Sequence, residues 1–311
     1  MKLPAAKFKN LSTEWKSVVD QAFQRWGELN YSPVTVSQYR KWAIRFCYWL
    51  QEIGITQASS IPSDASERFL QIYALHKQAT RQTLAVAINA FIKQQVIENV
   101  LQKDFTLVQM PMTKERRIPP IVPLQTVQQL IEAAKKLSDE GAVGLAIFTA
   151  IMILVYAGLR LSEVARLQVE NLVRGADGSI KSFQIIRKNN CISTVQIHPT
   201  LALALEKWIE NRPRRGDQRF MFPGKSNGPT TPNTIYRYVR ETAMQAQVAF
   251  TPRLFRAFLA NALAETATQV HDLQQIMGHS SPASLVSYCN SGPESQRNRL
   301  DEVLKPLCCK S

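Results

Sequence analysis

Residues 142–159, AVGLAIFTAIMILVYAGL, carry no charge and are apolar at almost every position. The length approaches that of a membrane span. Yet Gly144, Thr149 and Gly158 lie inside the run, no second such segment exists, and it leads straight into an amphipathic stretch, 160–172. The expectation is a fully buried helix at the centre of a domain, not a membrane anchor. An apolar content of 45% supplies enough side chains to cover it.

The remaining periodicity is mostly helical. Leu11, Trp15, Val18, Val19, Ala22, Phe23 and Trp26 recur at helical spacing, and Asn30-Tyr31-Ser32-Pro33 breaks the pattern. A second helix follows with Val36, Tyr39, Ala43, Phe46, Trp49 and Leu50. Two more are predicted, one after Pro62 with Phe69 and Ile72, one over 80–100 with Leu84, Ile88 and Phe91. Residues 1–109 therefore read as an all-helical domain. Residues 110–122 hold Pro111, Pro119 and Pro120 beside Lys114, Arg116 and Arg117. Proline forbids a helix there, so the stretch reads as a basic linker. It either follows a phosphate backbone or is simply solvated.

A second domain, 123–290, starts with an amphipathic helix over 126–137 and continues into the apolar one. Beyond the helix after Ser162, strands are predicted near 169–173, over 179–187 and over 191–198. Gly175-Ala176-Asp177-Gly178 makes the first turn, and Lys188 sits at the tip of the second. Helices are expected again over 200–211 and 234–247. The fold class is thus mainly α with a small antiparallel sheet. After residue 290 comes a polar tail, 291–311, with a short stripe of Leu300, Val303, Leu304 and Leu307. It can pack on its own domain or dock on a neighbouring protomer.

Charge narrows the function. The net charge is +14 and the pI about 9.7, which favours a polyanion, most simply nucleic acid. Arg40, Lys41, Arg45, Arg81 and Lys93 on the first helices and Lys114, Arg116 and Arg117 in the linker are the candidate phosphate contacts. For any one of them a solvated surface position is the competing reading. The five cysteines are irregularly spaced, with no C-x-x-C and no zinc-like Cys/His cluster. Free thiols in a reducing compartment, and no metal site, are expected. The N-terminus lacks a signal peptide's apolar core.

Residues 251–290 concentrate the chemistry. Thr251 and Pro252 suit a helix start. Leu254, Phe255, Phe258, Leu259 and Leu263 form its buried stripe, with Arg253 and Arg256 on another face. A second helix carries Leu273, Ile276 and Met277 and stops at Gly278, directly before His279; Tyr288 follows. Guanidinium forks match phosphate oxygens, a histidine can donate to them, and a tyrosine oxygen can attack phosphorus. A basic helical hairpin with a buried tyrosine is the bland alternative.

Five motifs in order resemble those of the tyrosine recombinase, or phage integrase, family. They are AGLRLSEVARL at 157–167, the hairpin Lys188, Arg253-Leu254-Phe255-Arg256, Met277-Gly278-His279-Ser280-Ser281, and Tyr288. The resemblance implies a helical, SAM-like core-binding domain followed by the family's catalytic domain. It implies a site of Arg160, Lys188, Arg253, Arg256, His279 and Tyr288, with Tyr288 as nucleophile. The implied partners are double-stranded DNA and three further copies of the chain, in a tetramer on two DNA sites. An accessory directionality factor belongs to the same picture. No cofactor is implied, and the location is cytoplasmic, on the nucleoid. Arg253 departs from the pattern, because the family usually has histidine there. Arginine stays charged and cannot take a proton at neutral pH. The alternative implied by that departure is a catalytically weak or inactive DNA-binding protein on the same scaffold. Glu163, one turn after Arg160, either orients that arginine or is an ordinary surface carboxylate.

Overall fold

A computed structural model describes residues 8–101, 107–108, 122–186, 192–214, 216–224 and 227–265. The chain divides into two compact units, Met1–Arg116 and Arg117–Ser311. The expected tail, 291–311, and nearly all of the expected linker lie outside the described residues.

The described part of the first unit is helical: α1 (Thr13–Glu28), α2 (Pro33–Glu52), α3 (Ala65–Ile72) and α4 (Gln78–Ile97). Sequence punctuation sets the starts. Ser12 Oγ accepts from the Trp15 N–H at 3.3 Å, and Ser32 Oγ from the Thr35 N–H at 3.2 Å with Pro33 in the first turn. Trp15, Trp26, Phe46, Phe69 and Phe91 are fully buried. Phe46 meets the rings of Phe69 and Phe91 edge-on, at 5.2 and 6.1 Å between centroids. Truncating such a ring to alanine removes about 3–5 kcal/mol.

The second unit is organised around α6 (Ala142–Ala157), as its composition predicts. Every residue from 149 to 157 is buried. Helices α5 (Leu124–Ser138), α8 (Pro199–Asn211), α9 (Pro232–Gln245) and α10 (Pro252–Glu265) all pack on it. Gly144 lets α5 approach, since a Cβ there would stand 1.6 Å from the Leu137 carbonyl oxygen. No helix among the described residues is long and apolar enough to cross a membrane.

The sheet is antiparallel, in the order β1 (Leu172–Arg174), β2 (Ile180–Ile186) and β3 (Ile192–Gln196). Its inner face buries Phe183, Ile185 and Val195. The strand expected near 169–173 is shorter and begins later. Val169–Asn171 is a single 3-10 turn, closed by Asn171 Oδ1 accepting from the Gln168 N–H at 2.9 Å. The Val169 N–H goes to the Arg219 carbonyl at 2.8 Å, not to β2. The expected loop over 212–232 is anchored too: Phe220 bridges Gln168, Met221 and Phe222 are buried, and Trp208 Nε1 donates to the Met221 carbonyl at 2.8 Å.

Candidate active site

The site grows from the end of α6. Gly158 stops the apolar helix with φ 58° and ψ 25°, a left-handed conformation that glycine takes without strain. Two residues on, Arg160 begins α7 (Leu161–Arg166) from an extended conformation, φ −73° and ψ 152°. Glu163 fixes it twice. Its Oε2 accepts from the Arg160 backbone N–H at 2.7 Å, the glutamate half of a capping box. Its Oε1 accepts from Arg160 Nη1 at 2.8 Å. The Glu163 side chain is only 8% exposed, whereas that of Arg160 is 45% exposed. Glu163 is therefore not a plain surface carboxylate: its side chain is a largely covered brace that leaves much of one guanidinium open.

The second arginine arrives from the far end of the sequence. Phe255, Phe258, Leu259 and Leu263 bury one face of α10 in the core that surrounds α6. Arg256 lies on the flank of that face and donates from Nη1 to the Gly158 carbonyl. A helix C-terminus carries partial negative charge, so a cation is favoured there. Arg253, one turn earlier on α10, is exposed and has no hydrogen-bond or ion-pair partner among the described residues. Arg160 and Arg256 are thus brought to one end of α6. Lys188, in the link 187–191 between the paired Ile186 and Ile192, lies outside the described residues, as do His279 and Tyr288. Gly158 was legible as an interruption of an apolar run and as part of the AGLRLSEVARL block. Its carbonyl's role as acceptor for Arg256 had no local signal beyond glycine's liking for helix ends.

The candidate phosphate contacts of the first unit separate into two groups. Lys41 and Lys93 are exposed and make no ion pair among the described residues. Arg40 is engaged internally: it donates to Asp20 Oδ1 at 2.9 Å and lies 4.5 and 5.0 Å from the ring centroids of Phe8 and Phe23. Arg45 lies over Trp42 at 4.8 Å; burial pushes the Tyr73 hydroxyl up, and the nearby Arg45 charge opposes the shift. Arg81 is partly buried, with no hydrogen-bond partner for Nε among the described residues. Lys114, Arg116 and Arg117 lie outside them. Among the described residues no group of three or more His, Cys, Asp or Glu comes together as a metal site.

Residues 121–294 match the model of the phage integrase family, more than half of the chain. The chain belongs to the phage integrase family. Tyrosine recombinase XerD of Corynebacterium glutamicum is 23% identical to this family member over 286 residues, 87% of the chain and 91% of the relative. Tyrosine recombinase XerA of Pyrococcus horikoshii is 23% identical over 183 residues, so the match spans 57% of this chain and only 59% of that relative. Among solved structures, the XerH site-specific recombinase bound to palindromic difH substrate, a post-cleavage complex, aligns with a TM-score of 0.68. The alignment covers 96% of this chain and 92% of that one at 15% identity, so it bears on the fold.

Proposed function

We propose that this integrase family member is a site-specific DNA recombinase that cuts and rejoins strands through a 3′-phosphotyrosine. One observation carries the reading: Arg256 is bonded to the carbonyl two residues before Arg160, and Glu163 braces Arg160 with its guanidinium still open. Two positive groups held at the same end of α6 suit a phosphodiester whose charge grows during attack. Family membership and the likeness to a recombinase solved on its DNA substrate support the same reading.

In this mechanism Arg160 and Arg256 hold the non-bridging oxygens, Arg253 adds charge and His279 a hydrogen bond. The Tyr288 oxygen, giving up its proton to solvent, attacks phosphorus, and the bond to the 5′ oxygen breaks. Lys188 gives that oxygen its proton. The phosphotyrosine stores the bond, and a different 5′ hydroxyl then attacks it, so strand exchange is nearly isoenergetic. Neither ATP nor a metal ion has a step in this sequence. The helical first domain (1–109), the linker (110–122) and the catalytic domain (123–290) together grip one half-site. Four copies assemble on two sites, with the tail docking on a neighbour and an accessory factor setting direction. Such a protein works on the nucleoid.

The deciding assay is a nicked suicide duplex carrying the protein's own site. A complex that survives SDS, forms in EDTA and is absent in Tyr288→Phe is the expected result. Wild-type protein that never forms it on that site refutes the reading. Arg253, exposed in the position the family gives to histidine, favours a second reading, a DNA-binding protein with weak or no cleavage. That reading expects Arg253→His to create or sharply raise cleavage; an unchanged level counts against it.

A further inference from the structure

In the first unit α4 lacks, on its outer face, the charge that a surface helix ordinarily carries there. Its inner side buries Leu84, Ile88, Phe91 and Ile92. The outer stripe runs through Ala79, Thr83, Val86, Ala90, Lys93 and Ile97, at steps of three and four residues along one side of the helix. Val86 is 54% exposed and Ile97 66% exposed. The Thr83 hydroxyl donates to the Ala79 carbonyl one turn back, at 2.9 Å. That hydroxyl is already bonded to the helix backbone, so a methyl is what Thr83 offers to a partner. From Ala79 to Ala90 the stripe is therefore a row of methyl groups about 16 Å long. The charge around it has one sign. Residues 68–97 contain no Asp or Glu, while Arg68, Lys77, Arg81 and Lys93 stand among them.

We propose that Thr83, Val86 and Ala90 recognise the 5-methyl groups of thymine in a DNA major groove, with Lys93 on a neighbouring phosphate. The inference rests on the proposed DNA function and adds what the first unit reads. The major groove admits an α-helix, and thymine presents a methyl there that alanine and the threonine methyl fit. Side chains this small let the helix backbone come close to the base edges. A row of about 16 Å faces about five base pairs. Charge selects the occupant. Two copies meeting stripe to stripe would set one acid-free basic surface against another, which repels, whereas DNA brings the opposite sign. A face of methyl groups tells bases apart by the presence or absence of a methyl, so its target has thymine at fixed positions.

Deoxyuridine tests this directly, because it keeps every hydrogen bond of thymidine and lacks only the methyl. The full-length protein first selects its preferred sequences from random duplexes of about 30 base pairs. Each dT of the selected duplex is then replaced singly by deoxyuridine. At one or more positions within a run of about five base pairs, affinity should fall about fourfold. Val86→Ala should bind the selected duplex about fourfold more weakly, and the most sensitive deoxyuridine should then cost it less than about twofold, since both changes remove one contact. Its salt slope and melting temperature should match wild type, because no charge and little buried surface is lost. Lys93→Gln should weaken selected and random duplexes alike and reduce the salt slope by about one. A selected duplex that tolerates deoxyuridine at every position overturns the inference. So does full deoxyuridine sensitivity in Val86→Ala, which assigns the methyl contact to another part of the chain. Indifference to deoxyuridine with weakened self-association of Val86→Ala overturns it too, and makes the stripe a contact between copies. Wild-type protein that binds no duplex overturns the proposed function and this inference together.

Discussion

Replacing Glu163 by glutamine tests whether the brace on Arg160 serves catalysis or only the helix. The carboxylate makes two bonds, to the Arg160 backbone N–H at 2.7 Å and to its Nη1 at 2.8 Å. Glutamine can keep the first, because either side chain serves at that position of a capping box. It cannot keep the second without turning its amide nitrogen toward the backbone donor. The lost bond joins two charged groups, worth about 1.5–3 kcal/mol when shielded. Arg160 is 45% exposed, so solvent screening lowers this to about 1–1.5 kcal/mol. If that energy holds the guanidinium where phosphate needs it, the chemical step slows about tenfold. The assay is the single-turnover rate of covalent complex formation on the nicked duplex at saturating protein, with DNA affinity measured separately. The expected result is a rate about tenfold down with affinity within about twofold of wild type. A wild-type rate, or a loss confined to affinity, refutes the positioning argument. Glu163→Ala adds loss of the backbone cap, about 1 kcal/mol of stability, and should melt earlier than the glutamine variant.

Three further outcomes are expected. Gly158→Ala puts a side chain into the left-handed region at φ 58°. It should cost about 1 kcal/mol and lower the melting temperature by about 2–4 °C, and a variant as stable as wild type counts against the strain argument. Hydrogen bonds from Lys181 and Ser179 hold the Asp177 carboxyl at about 2, below its ordinary 3.8. A carboxyl lowered by folding adds stability above its unfolded value and loses it as pH falls through the folded one, so the β1–β2 turn should weaken between about pH 4 and pH 2. NMR titration of the Asp177 carboxyl checks this, and Lys181→Met should move the midpoint back up. Cys47 is fully buried and burial pushes its thiol well up, so it should resist alkylation until the first unit unfolds. Mass-mapped labelling of Cys47 at native concentrations of denaturant would contradict that.

Much of the fold was legible because its signals are local. The apolar run predicted α6 over 142–157, where it lies, and Pro33, Pro199, Pro232 and Pro252 each stand at the start of a helix. The turn at Gly175 to Gly178 sits between β1 and β2 as read. The start of β1 was not legible, since Gln168 and Val169 are drawn to Phe220 and Arg219, more than 45 residues on. At the site, sequence named Arg160 and Arg256 by motif but could not join them. Their placement at one end of α6 depends on a contact between Arg256 and Gly158, 98 residues apart in the chain. Glu163 stayed ambiguous for a similar reason, because burial is a property of the packed unit. Arg40 reads in the sequence as a charge on the more polar side of its helix; only packing shows Phe8, Phe23 and Asp20 around it.

Anchoring a guanidinium on the last turn of α6 ties two fates together. That helix is walled in by four others, so its C-terminal carbonyl cannot fray into water without opening the whole unit. The Arg256–Gly158 contact therefore has no softer failure of its own: heat or denaturant should break it and unfold the second unit at one midpoint. Any motion that the proposed strand exchange needs is then supplied by parts of the chain other than this post.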